Sequence, residues 1–170
     1  LEYALNLDKV GHFYAGAFFS DLSARGLEWA GLDRDRSLLL GAFFSMGVQL
    51  GFEIKDGFAP NWGFSILDVT AGCLGSLYAM GRERVPLLGA TRIKMGYAFR
   101  SRSYWQRAGE HAFIVDDYVN QTYWLSLDPG RLLPSAAGPW WPSFLRIAAG
   151  VGIDPGVDGQ GAGRREVFLG

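Results

Sequence analysis

Two polar residues near the start of the chain have the spacing of a small acid–base unit. Asp8 and His12 are four residues apart and therefore share one face of a helix. A carboxylate beside an imidazole fixes the tautomer of the ring and makes it a better base, which suits proton transfer. The alternative is a helix cap with a local hydrogen bond, the commoner meaning of an isolated pair of this kind.

Two further polar pairs lie at the ends of later apolar segments. Glu53 and Asp56 are three residues apart and could hold a divalent cation or share a proton; the alternative is a solvated helix end. Ser65 and Asp68 have the spacing of a capping arrangement, which is the stronger interpretation of that pair.

These pairs gain significance if they meet at one level of a helical unit, which spacing alone does not establish. Buried carboxylates are costly unless paired, and within a membrane such residues are functional candidates. The candidate catalytic residues are therefore His12, Asp8, Glu53, Asp56 and Asp68. Glu53, Asp56 and Asp68 are also the candidate metal ligands. We expect no cofactor other than a possible divalent cation.

Three apolar segments must position these residues. We predict helices over 8–32, 37–52 and 65–80, with a polar turn at 33–36 and a loop at 57–63. The second and third come close to the roughly 20 apolar residues that a membrane span needs. Small residues four apart allow helices to approach closely in a bilayer, and equally in a tightly packed soluble bundle: Gly47 and Gly51, Ala71 and Gly75, Gly72 and Ser76.

The second half of the chain changes to a period of two. Apolar residues alternate with polar or small ones over 92–100 and 145–153, and 122–127 and 166–169 are also strand-like. This alternation is typical of an outer-membrane β-hairpin and also of one half of a soluble sheet. Loops are predicted at 134–142, with Trp140 and Trp141 suited to an interface, and at 154–165.

Composition narrows the class of protein. Among 170 residues 24 are glycine and 15% are aromatic, which favours a membrane or its interface. The net charge of −1 argues against nucleic-acid binding, and the single Cys73 excludes an internal disulfide. We predict an α+β protein with a helical part at 1–88 and an antiparallel β-rich part at 89–170. The start at Leu1 is compatible with a processed N-terminus. The end at Gly170, within a strand-like run, leads us to expect either that the chain continues or that the pairing of this strand is completed elsewhere.

Several motifs resemble the uncharacterised bacterial family called predicted periplasmic lipoprotein (domain of unknown function 2279 type). They are D-K-V-G-H-F at 8–13, E-I-K-D-G-F at 53–58, W-G-F-S-I-L-D at 62–68 with Gly75, D-Y-V-N-Q-T-Y-W-L-S-L at 117–127 and W-P-S-F-L-R-I-A-A-G-V-G at 141–152. The N-terminal half is more distantly similar to VanZ-like membrane proteins, which share a D-K-x-x-H start. Both families usually carry Asn four residues after the last Asp, where this chain has Gly72.

The resemblance implies a location in the bacterial cell envelope, on the periplasmic face, and either association with or integration into the outer membrane. Membrane lipid and other envelope proteins are the expected partners. We favour a structural or accessory role in which the Asp, His and Glu residues form a buried polar network that fixes the helices. The alternative is a membrane enzyme or binding site for an envelope lipid or lipid-linked phosphate, with a divalent cation in an acidic pocket.

Overall fold

The computed structural model describes residues 3–59, 63–133, 141–142, 144–154 and 164–170. N-terminal helices are followed by a four-stranded antiparallel sheet, which confirms the predicted α+β class and the order of its two parts. The chain forms two compact units. Lys9–Ala90 is the helical unit, and Thr91–Gly170 together with Leu1–Asp8 is the sheet unit.

The helical unit consists of three long helices and one short one. They are α1 (Leu7–Trp29), α2 (Arg34–Gly57), α3 (Ile66–Gly81) and α4 (Pro86–Gly89). Helix α2 starts earlier than predicted because the side chain of Asp33 caps it, accepting the N–H of Arg36 at 3.0 Å. The predicted polar turn at 33–36 is therefore wrong, since residues 34–36 form the first helical turn. The predicted cap of α3 is confirmed: Ser65 Oγ accepts the N–H of Asp68 at 3.3 Å.

Glycine residues allow α1 and α3 to touch through their backbones. A Cβ atom added to Gly16 would lie 2.0 Å from the carbonyl oxygen of Gly72, and one added to Gly75 would lie 2.0 Å from that of Phe13. Neither distance is possible for a real side chain, so both glycines are required by the close approach. Gly47 differs, because a Cβ there would have no described atom within 4 Å. Of the small residues predicted to pack helices, Gly72, Gly75 and Ser76 on α3 do so, whereas Gly47 and Gly51 are exposed.

Polar hydrogen bonds join all three long helices at this crossing. Ser45 Oγ on α2 donates to the Gly16 carbonyl at 2.8 Å, and Ser76 Oγ on α3 lies 2.9 Å from Ser45 Oγ. Both serines are fully buried. Small side chains, several of them polar, therefore fill the centre of the unit in place of large apolar ones.

The outer surface of the same unit is apolar. Phe43 and Phe44 on α2 are 62% and 61% exposed. By length and composition α2 could cross a membrane, and less than half of its apolar stretch is buried in the protein. Large apolar side chains cover the outer faces of the long helices: Phe18, Leu22, Leu39, Leu40, Leu50, Phe52, Ile54, Ile66, Leu67, Leu74 and Leu77.

The sheet unit is an antiparallel meander in the order β1-β2-β3-β4. Its strands are β1 (Thr91–Tyr97), β2 (Gln121–Leu127), β3 (Ile147–Ile153) and β4 (Arg165–Leu169). The connection from β1 to β2 contains α5 (Ser103–Ala108) and three single turns of 3-10 helix. Strand β1 ends before the predicted limit of residue 100, and Asn120 Oδ1 instead accepts the N–H of Arg100 at 2.6 Å. The predicted loops at 134–142 and 154–165 lie mostly outside the described residues.

A histidine–carboxylate cluster in the helical unit

His12 on α1 faces two side chains of α2. Its Nδ1 lies 3.1 Å from Gln49 Oε1, and its Nε2 lies 3.4 Å from Glu53 Oε1. Gln49 and Glu53 are four residues apart, so one face of α2 presents both groups to the imidazole. An amide oxygen only accepts, so the contact with Gln49 is a hydrogen bond in the tautomer whose hydrogen is on Nδ1, and Nε2 faces a carboxylate. A positive charge between Nε2 and Glu53, either a proton or a metal ion, would stabilise this arrangement.

Glu53 also ties the end of α2 to the start of α3. Its side chain is only 2% exposed, and Oε2 accepts the backbone N–H of Ser65 at 3.0 Å. Ser65 in turn caps α3 through the N–H of Asp68. The carboxylate therefore binds at the N-terminus of α3, where the helix dipole favours negative charge.

Asp68 completes the cluster and forms an ion pair with Lys9. Lys9 Nζ lies 2.8 Å from Asp68 Oδ1, and the carboxylate is largely buried. Ligand atoms of His12, Glu53 and Asp68 all lie within 4.8 Å of one another. Two carboxylates thus face one lysine and one imidazole, and the ion pair with Lys9 offsets part of their negative charge without a metal ion.

The structure brings together three of the five predicted site residues. His12, Glu53 and Asp68 meet, as a convergence of the polar pairs requires. Asp56 lies outside this group of described residues; its carboxylate is one-third exposed and 3.8 Å from Lys55 Nζ. Asp8 is 6% exposed in the first turn of α1 and is counted with the sheet unit. The spacing predicts that His12 pairs with Asp8, but both of its ring nitrogens contact side chains of α2.

Sequence reasoning did not assign roles to Gln49 and Lys9. Gln49 is 1% exposed and is a strongly polar residue in an apolar segment, which is the signal that could have identified it. Its spacing of four from Glu53 is the second signal. Lys9 follows Asp8 directly in the sequence, but only the packing of α1 against α3 shows that it pairs with Asp68.

Gln49 also explains how the chain accommodates glycine at position 72. A Cβ added to Gly72 would lie 2.6 Å from Gln49 Cγ and 2.8 Å from Cδ. The Gln49 side chain therefore occupies the space into which an asparagine at position 72 would project. Its amide reaches His12 from α2, whereas the asparagine expected from the resemblance would place an amide on α3.

A double-mutant cycle tests this exchange. Gly72→Asn alone is expected to destabilise the protein by about 1–3 kcal/mol through overpacking against Gln49. Gln49→Ala alone removes the partner of His12 Nδ1 and is expected to cost about 1–3 kcal/mol. The double variant is expected to be at least about 1 kcal/mol more stable than additivity predicts, measured by denaturant unfolding. Strict additivity would show that the two positions do not share one space.

The comparisons with known proteins bear on the part of the chain that holds this cluster. Residues 2–83 match the model of the family described as predicted periplasmic lipoprotein (DUF2279). No curated protein and no solved structure matches the chain. The family description agrees with the predicted location on the periplasmic side of a bacterial cell envelope. The match shows that the N-terminal part of this chain, which holds His12, Glu53 and Asp68, is similar to the predicted periplasmic lipoprotein family.

Proposed function

We propose that this chain is a structural or accessory protein of the bacterial envelope whose helical unit is embedded in a membrane. The observation that carries the proposal is the distribution of its side chains. Large apolar groups such as Phe43 and Phe44 are exposed, whereas Ser45, Gln49 and Ser76 are fully buried. A soluble bundle has the opposite arrangement, since the hydrophobic effect buries its large apolar side chains.

The contacts between helices are those expected where lipid replaces water. In a bilayer, apolar side chains gain little by leaving lipid, so close backbone packing and interhelical hydrogen bonds must hold helices together. Gly16, Gly72 and Gly75 provide the close packing, and Ser45 and Ser76 provide hydrogen bonds. The His12–Glu53–Asp68 cluster and its lysine then fix the end of the unit where α2 meets α3.

The exposed apolar belt on α2 sets the depth of embedding. From Leu39 to Ile54 it spans about 22 Å, taking roughly 1.5 Å per residue. This is shorter than the roughly 30 Å of an average hydrocarbon core, so local thinning or snorkelling must cover the difference. Arg34, Arg36 and Lys55 flank the belt and can extend toward the headgroups. The resemblance to VanZ-like membrane proteins stays a prediction, but it is in line with this proposal.

A charge placed on the outer face of α2 separates the membrane proposal from a soluble bundle. In a membrane, Phe43→Asp is expected to oppose insertion by about 2.5–3.5 kcal/mol. On a soluble surface, the same change would alter stability by no more than about 0.5 kcal/mol. The measurement is the fraction of protein that stays with membranes after alkaline extraction. Trp29→Asp is the matched control, since Trp29 is 93% exposed at the end of α1. Equal retention of both variants would contradict embedding.

A divalent-cation site for a phosphate-bearing envelope lipid is the second candidate function. It is favoured by the 4.8 Å grouping of His12, Glu53 and Asp68 and by the orientation of His12 Nε2 toward Glu53. These three groups would hold the cation, and its remaining positions would bind phosphate oxygens. Lys9 would then have to release Asp68, which is why we rank this function second.

Metal analysis of the wild type and of Asp68→Asn decides between the two functions. With a structural network, we expect no stoichiometric divalent ion in the purified protein and no change in Tm with EDTA. Asp68→Asn should then melt earlier, because it leaves Lys9 without its anionic partner. A stoichiometric ion that EDTA removes, and that Asp68→Asn lacks while it stays folded, would establish the cation site instead.

A further inference from the structure

The sheet unit presents a shallow aromatic surface in the connection between β1 and β2. It includes a cavity of about 580 Å³. The cavity is lined by Tyr97, Phe99, Arg102, Trp105, Gln106 and Ile114. Most of these side chains are exposed, so the surface is open rather than an enclosed pocket.

A buried carboxylate fixes the indole ring on this surface. Asp117 is fully buried, and its Oδ2 accepts Trp105 Nε1 at 2.6 Å, Tyr97 OH at 2.7 Å and Asn120 Nδ2 at 2.7 Å. Burial, together with the hydrogen bond to Asp117, raises the pKa of Tyr97, which keeps the phenol protonated as a donor. The polar N–H of Trp105 is thus turned inward, and the exposed part of the ring is its carbon surface.

A second buried residue presents three consecutive apolar side chains beside this ring. Gln121 is fully buried, and its Nε2 donates to the carbonyls of Ile114 at 2.6 Å and Val115 at 3.1 Å. The buried amide of Gln121 thus holds the backbone carbonyls of this segment, while the side chains of the segment remain exposed. Phe113, Ile114 and Val115 are 65%, 49% and 64% exposed.

We propose that this surface binds anionic phospholipid at the membrane interface. The aromatic patch consists of Phe99, Trp105, Phe113, Ile114 and Val115. Exposed aromatic and aliphatic side chains of this kind favour the boundary between headgroups and acyl chains. The patch projects three side chains from the surface, which suits insertion between lipids better than capture of a soluble molecule.

Arg102 supplies the charge that selects an anionic headgroup. Its guanidinium lies 6.0 Å from the centre of the Phe99 ring, and it forms no ion pair with a carboxylate among the described residues. The side chain is exposed, so its fork of N–H donors can reach a phosphate. This contact belongs to the sheet unit and is independent of whether the helical unit is embedded.

Fluorophores at single cysteines test the proposal in the full chain. In a Cys73→Ser background, Ile114→Cys carries an environment-sensitive label, and the protein is reconstituted with phosphatidylcholine alone or mixed with phosphatidylglycerol. We expect blue-shifted emission and quenching by spin-labelled lipid that increase with phosphatidylglycerol. Arg102→Gln is expected to weaken docking about fivefold, the contribution typical of one basic residue near an anionic surface. Val167→Cys is the matched control, since Val167 is 73% exposed on β4 at the opposite edge of the sheet.

Three results would overturn the proposal: no lipid quenching at position 114, equal quenching at position 167, or no effect of phosphatidylglycerol and Arg102→Gln. Phe113→Cys provides a second labelling site if Ile114→Cys does not fold. A label at Phe43→Cys reports separately on the helical unit. Quenching at position 43 without quenching at 114 would therefore reject the aromatic patch alone.

Discussion

Replacement of Gly75 by alanine is expected to destabilise the helical unit by about 3 kcal/mol, at the upper end of the range for overpacking. The added Cβ would lie 2.0 Å from the carbonyl oxygen of Phe13, which belongs to backbone and cannot rotate away. Helices α1 and α3 must therefore separate along their crossing. Separation would also stretch the hydrogen bonds of Ser76 with Ser45 and with the Gly16 carbonyl.

Gly47→Ala is the matched control for this substitution. It is the same chemical change in a helix interior, but at a position with no described atom within 4 Å of the added Cβ. Alanine there is expected to stabilise the protein by about 0.5–1 kcal/mol through helix propensity alone. The measurement is unfolding of both variants by SDS titration in mixed micelles. Similar small effects at both positions would contradict the close α1–α3 crossing.

Replacement of Glu53 by alanine is expected to cost about 3–5 kcal/mol, the penalty for removing one partner of a buried charged network. Two contacts are lost together: the hydrogen bond from the backbone N–H of Ser65 and the contact between His12 Nε2 and the carboxylate. Glu53→Gln is expected to cost less, because an amide oxygen can still accept the Ser65 N–H.

Asp56→Ala on the same helix provides the comparison for Glu53. Its carboxylate is one-third exposed and 3.8 Å from Lys55, so the expected change is within about 0.5 kcal/mol. Circular dichroism during thermal unfolding measures both variants. If Asp56→Ala lowered the stability as much as Glu53→Ala, the result would support the predicted pairing of Glu53 with Asp56. The cluster would then have to include Asp56.

Local signals in the sequence predict the helices and strands themselves but not all of their ends. Ser65 and Asp68 predicted the start of α3 because a cap depends on residues three apart in one chain segment. Asp33 carries the same signal for α2, but the run of charged residues after it is also typical of a polar turn. The spacing of small residues predicted close helix packing without showing which pair faces a partner. Gly72 and Ser76 face α1 and α2, whereas Gly47 has the same spacing and faces outward.

The composition of the site is harder to predict from the sequence, because it depends on how the helices pack more than on residue spacing. His12, Glu53 and Asp68 lie on three different helices, so their convergence requires the arrangement of those helices in space. Residue spacing along α2 could not decide between Glu53 and Asp56, since both fall near the same helix end. The ion pair of Lys9 with Asp68 supplies positive charge that the alternative prediction takes from a divalent cation.

The most direct test of membrane embedding is a nitroxide scan along the exposed and buried faces of α2 in lipid bilayers. Single labels at Leu39, Phe43, Leu50 and Ile54 sample the outer face, and a label at Gln49 samples the buried face. We predict that the outer positions collide freely with oxygen and hardly at all with a water-soluble nickel complex, and that position 49 is shielded from both. Strong collision of the outer positions with the nickel complex would show that this face lies in water, and would contradict the central claim.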